Sequence, residues 1–482
     1  MAAEPVSLPT TGELRAALEQ AAEWIARYLD DVDRLPVLAR VKPGEIAAAL
    51  PEHPPAHGEP LEAIRADVDR VIVPGLTHWN HPGFMAYFGI TGSPPGILGE
   101  TIAAALNVNA MLWRTSPAAT ELEQVTLRWT AELLGLPTGW FGQITDTASS
   151  STLWALAAAR EAAGLDIRVR GTAGRDDLPP LRVYTSEEAH SSVEKACIVL
   201  GFGQEGLIKI PTDAEFRMRA DALREAVAAD LAAGRRPVAA VATVGTTSST
   251  SIDPVSAVAD VCADHGMWLH VDAAYGGAAA VVPEMRGVVA GCERADSLVV
   301  NPHKWLLTPV DCSLLYTARP DDLRAAFSLV PEYLRSNEDD VVNLMDYGVA
   351  LGRRFRSLKL WMVLRAYGAD GLAAIVAGHV ELARRLEAAV RAEDGWELLA
   401  PVPFSTVCFR YRPGGVADEA GLRAVNEAIL ERVNASGRAL VSHTDLKGRY
   451  ALRVAIGNAA TTAEHVDRAW DLLREAAAGD II

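Results

Sequence analysis

The sequence predicts an α/β chain in which a mostly parallel sheet is covered by helices, preceded by a helical arm and followed by a small α+β domain. Three observations carry this. The 482 residues are half apolar and 22% charged, which suits a globular chain with a large core and not a disordered or fibrous one. From about 92 to 365, short β-branched runs alternate with Ala- and Leu-rich helical runs, the pattern of parallel strands joined by helices. Beyond about 392 the pattern shifts again, to a smaller set of strands and helices. The expected division is a helical N-terminal arm over 1–91, a large α/β domain over 92–370 and a small α+β domain over 371–482.

In the arm, Leu14, Leu18, Ala21, Ile25 and Leu29 recur at helical spacing, with Thr11 as the expected N-cap and Pro36 as the stop. A stretch rich in Pro, Gly and His follows over 51–60, then a second helical pattern over 61–73. The strand runs of the large domain are 181–184, 238–244, 267–271 and 297–300. A long helical region covers 357–392. The last part predicts strands at 405–410, 439–443 and 450–455 and helices at 417–433 and 462–476. Ligands of parallel sheets collect beyond the carboxyl ends of the strands, so the residues just after each run are where chemistry is expected.

Composition removes several function classes. Lys+Arg 45 against Asp+Glu 62 gives a net charge of −17 with no basic stripe, which argues against a nucleic-acid partner. No apolar run of bilayer length stands out, and the first residues lack a basic segment followed by an apolar one, so neither a membrane span nor a secretory signal is expected. Cys197, Cys262, Cys292, Cys312 and Cys408 are odd in number and lack CxxC spacing, which predicts no disulfide framework and no metal site, and favours the cytoplasm. The acidic Asp30, Asp31 and Asp33 read as a solvated helix end. HExxH, Walker and GxSxG signatures are absent.

Gly201-Phe-Gly-Gln-Glu-Gly206 matches the glycine fingerprint of NAD-dependent dehydrogenases. That fingerprint needs a helix opening at its third glycine, whereas 207–210 followed by Pro211 reads as another strand. A turn is the better reading.

Only six lysines occur, and Lys304 stands apart, directly after a strand in the apolar stretch Val299-Val-Asn-Pro-His-Lys-Trp-Leu-Leu307. A lone lysine is ordinarily solvated. Desolvated, its lowered pKa would suit it to a Schiff base. Three other features lie at ends of predicted elements. Asp272 follows the strand 267–271 and could pair with a protonated ring nitrogen. The small residues of Thr145-Asp-Thr-Ala-Ser-Ser-Ser-Thr152 open a helix whose N-terminus could take a phosphate. His190 precedes a capping-box pattern and could stack on a ring. Each alone has an ordinary structural role; together they are the parts that pyridoxal 5′-phosphate requires.

On wider motifs the chain resembles the group II pyridoxal-phosphate-dependent decarboxylases, and among them the aromatic-L-amino-acid decarboxylases. The motifs are His81-Pro-Gly-Phe-Met-Ala-Tyr-Phe88, Thr115-Ser-Pro-Ala-Ala-Thr-Glu-Leu-Glu123, Ala189-His-Ser-Ser-Val-Glu194, His270-Val-Asp-Ala-Ala-Tyr275, Asn301-Pro-His-Lys-Trp305 and Leu351-Gly-Arg-Arg-Phe-Arg-Ser-Leu-Lys359. The resemblance implies a type I, aspartate-aminotransferase-like fold and a homodimer with active sites at the subunit interface. It also implies a Schiff-base role for Lys304, pairing of Asp272 with the pyridine nitrogen, and stacking of His190 on the ring opposite Ala274. Ala148 and Ser149 match the phosphate turn, with Asn301 and His303 close by, and Thr247 matches a further cofactor-pocket residue. Tyr333 matches the loop tyrosine that protonates Cα. Aldehyde synthases of the same fold differ at this tyrosine or at the stacking histidine, and this chain keeps both.

For the substrate pocket, the resemblance points to Trp79, Tyr87 and Phe88 as aromatic walls. It adds Gly89, Asn109, Met111 and Gly352. Gly89 and Ile90 stand where Pro and Thr are usual, and Asn109 and Met111 where bulkier or more apolar residues are expected. Glycine at the place of Gly352 goes with indoles and serine with phenols, so the expectation leans to L-tryptophan, with 5-hydroxytryptophan, tyrosine, phenylalanine and DOPA as further options.

Overall fold

The β-branched runs become strands of one seven-stranded sheet in the computed structural model, which describes residues 10–329, 341–416 and 418–479. A two-residue strand, β1 (Phe84–Met85), precedes it. The sheet itself takes β2 (Phe141–Thr145), β3 (Leu181–Ser186), β4 (Leu207–Ile210), β5 (Arg236–Thr243), β6 (Trp268–Asp272), β7 (Ser297–Val300) and β8 (Ser313–Thr317). Their order is β2-β8-β7-β6-β5-β3-β4, and β8 alone runs against the others. The carboxyl ends of β2, β3, β5, β6 and β7 therefore share one edge. Helices cover the sheet, which is why β5 is buried from Pro237 onward and reads as an unbroken apolar run.

Side chains alternate across a strand, so Trp268, His270 and Asp272 of β6 share one face while Leu269 and Val271 enter the core on the other. The Asp272 face looks toward helix Ala148–Ala162: His270 Nε2 lies 3.4 Å from Thr152 Oγ1 on that helix.

The second sheet contains β9 (Trp396–Leu398), β10 (Thr406–Tyr411), β11 (Leu440–Leu446) and β12 (Arg449–Ala455), in the order β1-β11-β12-β10-β9. The arm thus contributes a strand to the small sheet, with Phe84 paired to Leu440 and Met85 to Val441. Helix Arg356–Ala392 spans both units and is interrupted at Gly368, whose φ of 66° is left-handed. Its Leu372, Val376 and Val380 pack in the large core, and its Ala383, Leu386 and Val390 in the small one. This helix has the length and mean hydropathy of a membrane span, a run the sequence reading passed over. Its buried apolar residues lie in the two cores.

Two details differ from expectation. The arm helix is Thr11–Asp31 and its N-cap is Thr10, whose hydroxyl accepts the Glu13 N–H while the Glu13 carboxylate accepts the Thr10 N–H at 2.7 Å. The helix 417–433 is observed as Glu419–Ala435. The Gly201–Gly206 segment is a turn: Gly201 and Gly203 have positive φ, and the chain then enters β4 instead of a helix.

Candidate active site

The shared carboxyl edge gathers the polar residues that the sequence singles out. Helix Ala148–Ala162 starts three residues after β2, capped by Thr147 Oγ1, and its first N–H groups have no helical partner. Ser149 is exposed there. After β3, His190 caps helix Ser191–Val199 by accepting the Ser192 N–H at Nδ1, 3.1 Å away. That bond puts the proton of the neutral imidazole on Nε2. Burial lowers the His190 pKa, against the opposing pull of Asp272, so the ring is neutral at pH 7.

At the end of β6, Asp272 is buried, and its Oδ1 accepts the N–H of buried Ala274 at 3.1 Å. After β7, Asn301 leads into the short helix Pro302–Trp305. Among the described residues the buried Asn301 Oδ1 has no hydrogen-bond partner, a cost of about 1–3 kcal/mol unless a ligand meets it. His303 accepts the Cys312 N–H at Nδ1, 2.9 Å away, so its Nε2 carries the proton; burial pushes its pKa down to about 4. Lys304 opens onto a cleft. Burial lowers the pKa of its amine and outweighs the nearby Asp272 carboxylate.

That cleft, of about 340 Å³, is walled by Trp79, Tyr87, Phe88 and Ile90 from the arm and its junction with the large domain. His190, Thr247, Ser248 and Lys304 come from the large domain, and Ser442, His443, Thr444 and Arg453 from the small one. The Lys304 Nζ lies 5.1 Å from the centre of the Phe88 ring, and the Arg453 guanidinium lies 4.6 Å from it. Tyr87 has a φ of 54°, a conformation L side chains rarely adopt. Both its backbone groups are held: Arg453 Nη1 donates to its carbonyl, and its N–H donates to Ser442 Oγ at 3.3 Å. The sequence reading missed Arg453, Ser248, Ser442, His443 and Thr444. An arginine inside the apolar strand Tyr450-Ala-Leu-Arg-Val-Ala455 was the one available signal.

Four of the expected pocket residues lie elsewhere. A Cβ on Gly89 would stand 3.6 Å from the Gly457 backbone, and the neighbouring Ile90 lines the cleft. Asn109, Met111 and Gly352 form a group of their own that does not line the Lys304 cleft of the same chain. Asn109 Nδ2 is 3.3 Å from Met111 Sδ, and a Cβ on Gly352 would stand 3.9 Å from that same Nδ2. A buried ion pair ties this group to β2, the strand that leads into helix Ala148–Ala162. Arg353 accompanies Gly352; its Nη2 donates to Glu123 Oε1 at 2.7 Å and to the Ile144 carbonyl at 2.8 Å. Its N–H donates to Asn109 Oδ1 at 2.9 Å, and Glu123 Oε1 accepts the Ile144 N–H at 2.8 Å. Tyr333 lies outside the described residues.

The residues present fit pyridoxal phosphate: a free helix N-terminus for the phosphate, a buried carboxylate for the ring nitrogen, a neutral imidazole for the ring face and a desolvated lysine. The comparisons agree. A family model described as "Pyridoxal-dependent decarboxylase conserved domain" matches residues 43–412. Phenylacetaldehyde synthase of Arabidopsis thaliana is 41% identical, covering 96% of each chain. Tryptophan decarboxylase 1 of Oryza sativa subsp. japonica is 40% identical, over 96% of this chain and 93% of its own. A solved Oryza sativa TDC with PLP and tryptamine superposes with a TM-score of 0.95 at 38% identity, covering 99% of this chain and 100% of that one.

Proposed function

Given that the chain belongs to the pyridoxal-dependent decarboxylase family and is a carboxy-lyase using pyridoxal 5′-phosphate, we propose that it decarboxylates an aromatic L-amino acid, L-tryptophan foremost, to the arylalkylamine and CO2. The observation that carries the substrate class is the wall of Trp79 and Tyr87 in the Lys304 cleft, two rings that offer apolar surface to an indole or phenol, with Phe88 stacked behind the Lys304 amine. 5-Hydroxytryptophan, tyrosine, phenylalanine and DOPA are the further substrates of the same reading.

When bound, pyridoxal phosphate supplies the electron sink for the pair released as the carboxylate leaves. Lys304 holds it, helped by an amine that burial keeps closer to its neutral, nucleophilic form. Asp272 pairs with the ring nitrogen, its orientation set by the Ala274 N–H. His190 covers the ring opposite Ala274. Ala148, Ser149, Asn301 and His303 take the phosphate, and Thr247 lines the same pocket. The aromatic wall anchors the aryl group and so sets the angle of the Cα–carboxylate bond, which decides the bond that breaks. We assign protonation at Cα to Tyr333.

We further propose a cytoplasmic homodimer without a nucleic-acid or membrane partner. Helix Pro94–Leu106 leaves Leu98, Ile102 and Leu106 exposed, and helix Thr11–Asp31 buries no residue while exposing Leu14 and Leu18. A second copy would cover these faces, and its Asn109, Met111 and Gly352 would complete the cleft. All five cysteines are free and buried, which suits a reducing compartment.

The similarity to a phenylacetaldehyde synthase supports one competing outcome, oxidative deamination to an aldehyde. Retention of His190 and Tyr333 favours the amine. Purified holoenzyme given an equimolar mixture of tryptophan, 5-hydroxytryptophan, tyrosine, DOPA, phenylalanine, histidine and glutamate separates the two by mass spectrometry. Amines from the aromatic members are expected. Aldehydes with peroxide would move the assignment to the synthase, and turnover of glutamate or histidine would refute the pocket reading.

A further inference from the structure

Trp305 follows Lys304 directly and is fully buried. An indole nitrogen can only donate a hydrogen bond. Its Nε1–H meets Nδ1 of His379 at 3.0 Å, on the second half of helix Arg356–Ala392, where His379 is 3% exposed. The contact fixes the tautomer: Nδ1 accepts, so the ring proton sits on Nε2 and is donated to the Asn458 carbonyl at 3.0 Å. Burial pushes the His379 pKa down to about 4, which keeps the ring neutral. Asn458 Nδ2 in turn donates to the Asn80 carbonyl at 2.8 Å, beside Trp79 of the cleft wall. One line of hydrogen bonds thus joins the neighbour of Lys304, the long helix, the small domain and the arm.

The Trp305 ring also begins a stack. It lies 4.7 Å from Tyr275 at an interplanar angle of 7°, and Tyr275 lies 3.9 Å from Phe88 at 20°. Phe88 is the ring over which the Lys304 amine and the Arg453 guanidinium sit. The Tyr275 hydroxyl lies 2.5 Å from Ser405 Oγ, so the middle ring is held by the small domain as well. Close-packed rings cannot absorb a rotation of the first member without moving the third.

We propose that His379, which does not line the cleft, is a positioning residue of the decarboxylase site. Through its bond to Trp305 it holds the Trp305–Tyr275–Phe88 stack, and with it the Lys304 amine, in register with the small domain. This rests on Lys304 being the cofactor lysine.

Two amide substitutions separate the two bonds of His379. H379N places an oxygen near the position of Nδ1 and keeps the Trp305 bond, whereas H379Q places an amide nitrogen near Nε2 and keeps the Asn458 bond. In kcat per bound cofactor, H379N should stay within about threefold of the parent and H379Q should fall about tenfold, the scale of one unmet buried donor. W305F should lower kcat on its own, and W305F added to H379Q should cost little more than either alone. Near-ultraviolet circular dichroism of the cofactor-free protein, which reports the stacked rings, should change in H379Q and not in H379N. Equal losses, the reverse order or multiplicative effects with W305F would overturn the proposal. If the parent decarboxylates no amino acid, the reading of Lys304 fails, and the dichroism alone then decides whether His379 orients the stack.

Discussion

Replacing Arg353 by methionine tests whether the residues expected at the partner's cleft are held by the buried ion pair. Glu123 is 1% and Arg353 8% exposed, and the guanidinium donates to the Glu123 carboxylate, to the Ile144 carbonyl and, at 3.2 Å, to the Ala110 carbonyl. R353M removes all of these and leaves the buried carboxylate with the Ile144 N–H alone among the hydrogen bonds of the described residues. Removing one partner of a buried pair costs about 3–5 kcal/mol, because the remaining charge stays desolvated. At about 2–4 °C per kcal/mol, the scale for large domains, Tm should fall by about 6–20 °C. Pairing R353M with E123L removes both charges, so the double variant should recover at least about half of the loss. The assay is thermal unfolding of the four cofactor-loaded proteins, followed by the ratio of tryptophan to tyrosine turnover at 25 °C. A fall in Tm below about 2 °C, or a double variant as unstable as the sum of the singles, would refute the reasoning. The turnover ratio should move with R353M, since the backbone N–H that donates to Asn109 Oδ1 loses the buried side chain that anchors it.

Three further outcomes follow from the site. K304A should lose amine production to below about a thousandth of the parent in the mass-spectrometric assay, while circular dichroism shows the fold retained; residual turnover above that level would remove Lys304 from its role. G352S should shift the kcat/KM ratio toward tyrosine by about tenfold with Tm unchanged, because the nearest atom to a Cβ there is Asn109 Nδ2 at 3.9 Å; an unshifted ratio would place Gly352 outside the pocket. His270, His303 and His379 are each pushed by burial from the usual 6.5 to about 4, so they bind protons more tightly unfolded than folded. The stability they contribute is complete above about pH 6.5 and is lost as pH falls toward about 4, so Tm should decline progressively from pH 6.5 to 5; a level Tm across that interval would contradict it.

What the sequence by itself determined is local. β-Branched runs with turn residues between them marked β3, β5, β6 and β7, and the residues after those runs include His190, Thr247, Asp272, Asn301, His303 and Lys304. In a parallel sheet the strand's end and the ligand edge coincide, so position along the chain carries position in space. β2 and β8 gave no such signal, since Phe141-Gly-Gln-Ile-Thr145 mixes glycine and glutamine into a short strand and β8 is one brief run beside the Lys304 motif. The tertiary structure alone decided that Arg453, Ser442, His443 and Thr444 wall the cleft, that β1 joins the small sheet and that Ile90 lines the cleft with Lys304. It alone brought His379 to Trp305 across 74 residues and Arg353 to Glu123 across 230. Such meetings are set by how two cores pack about one long helix, and no periodicity within either segment encodes the distance between them.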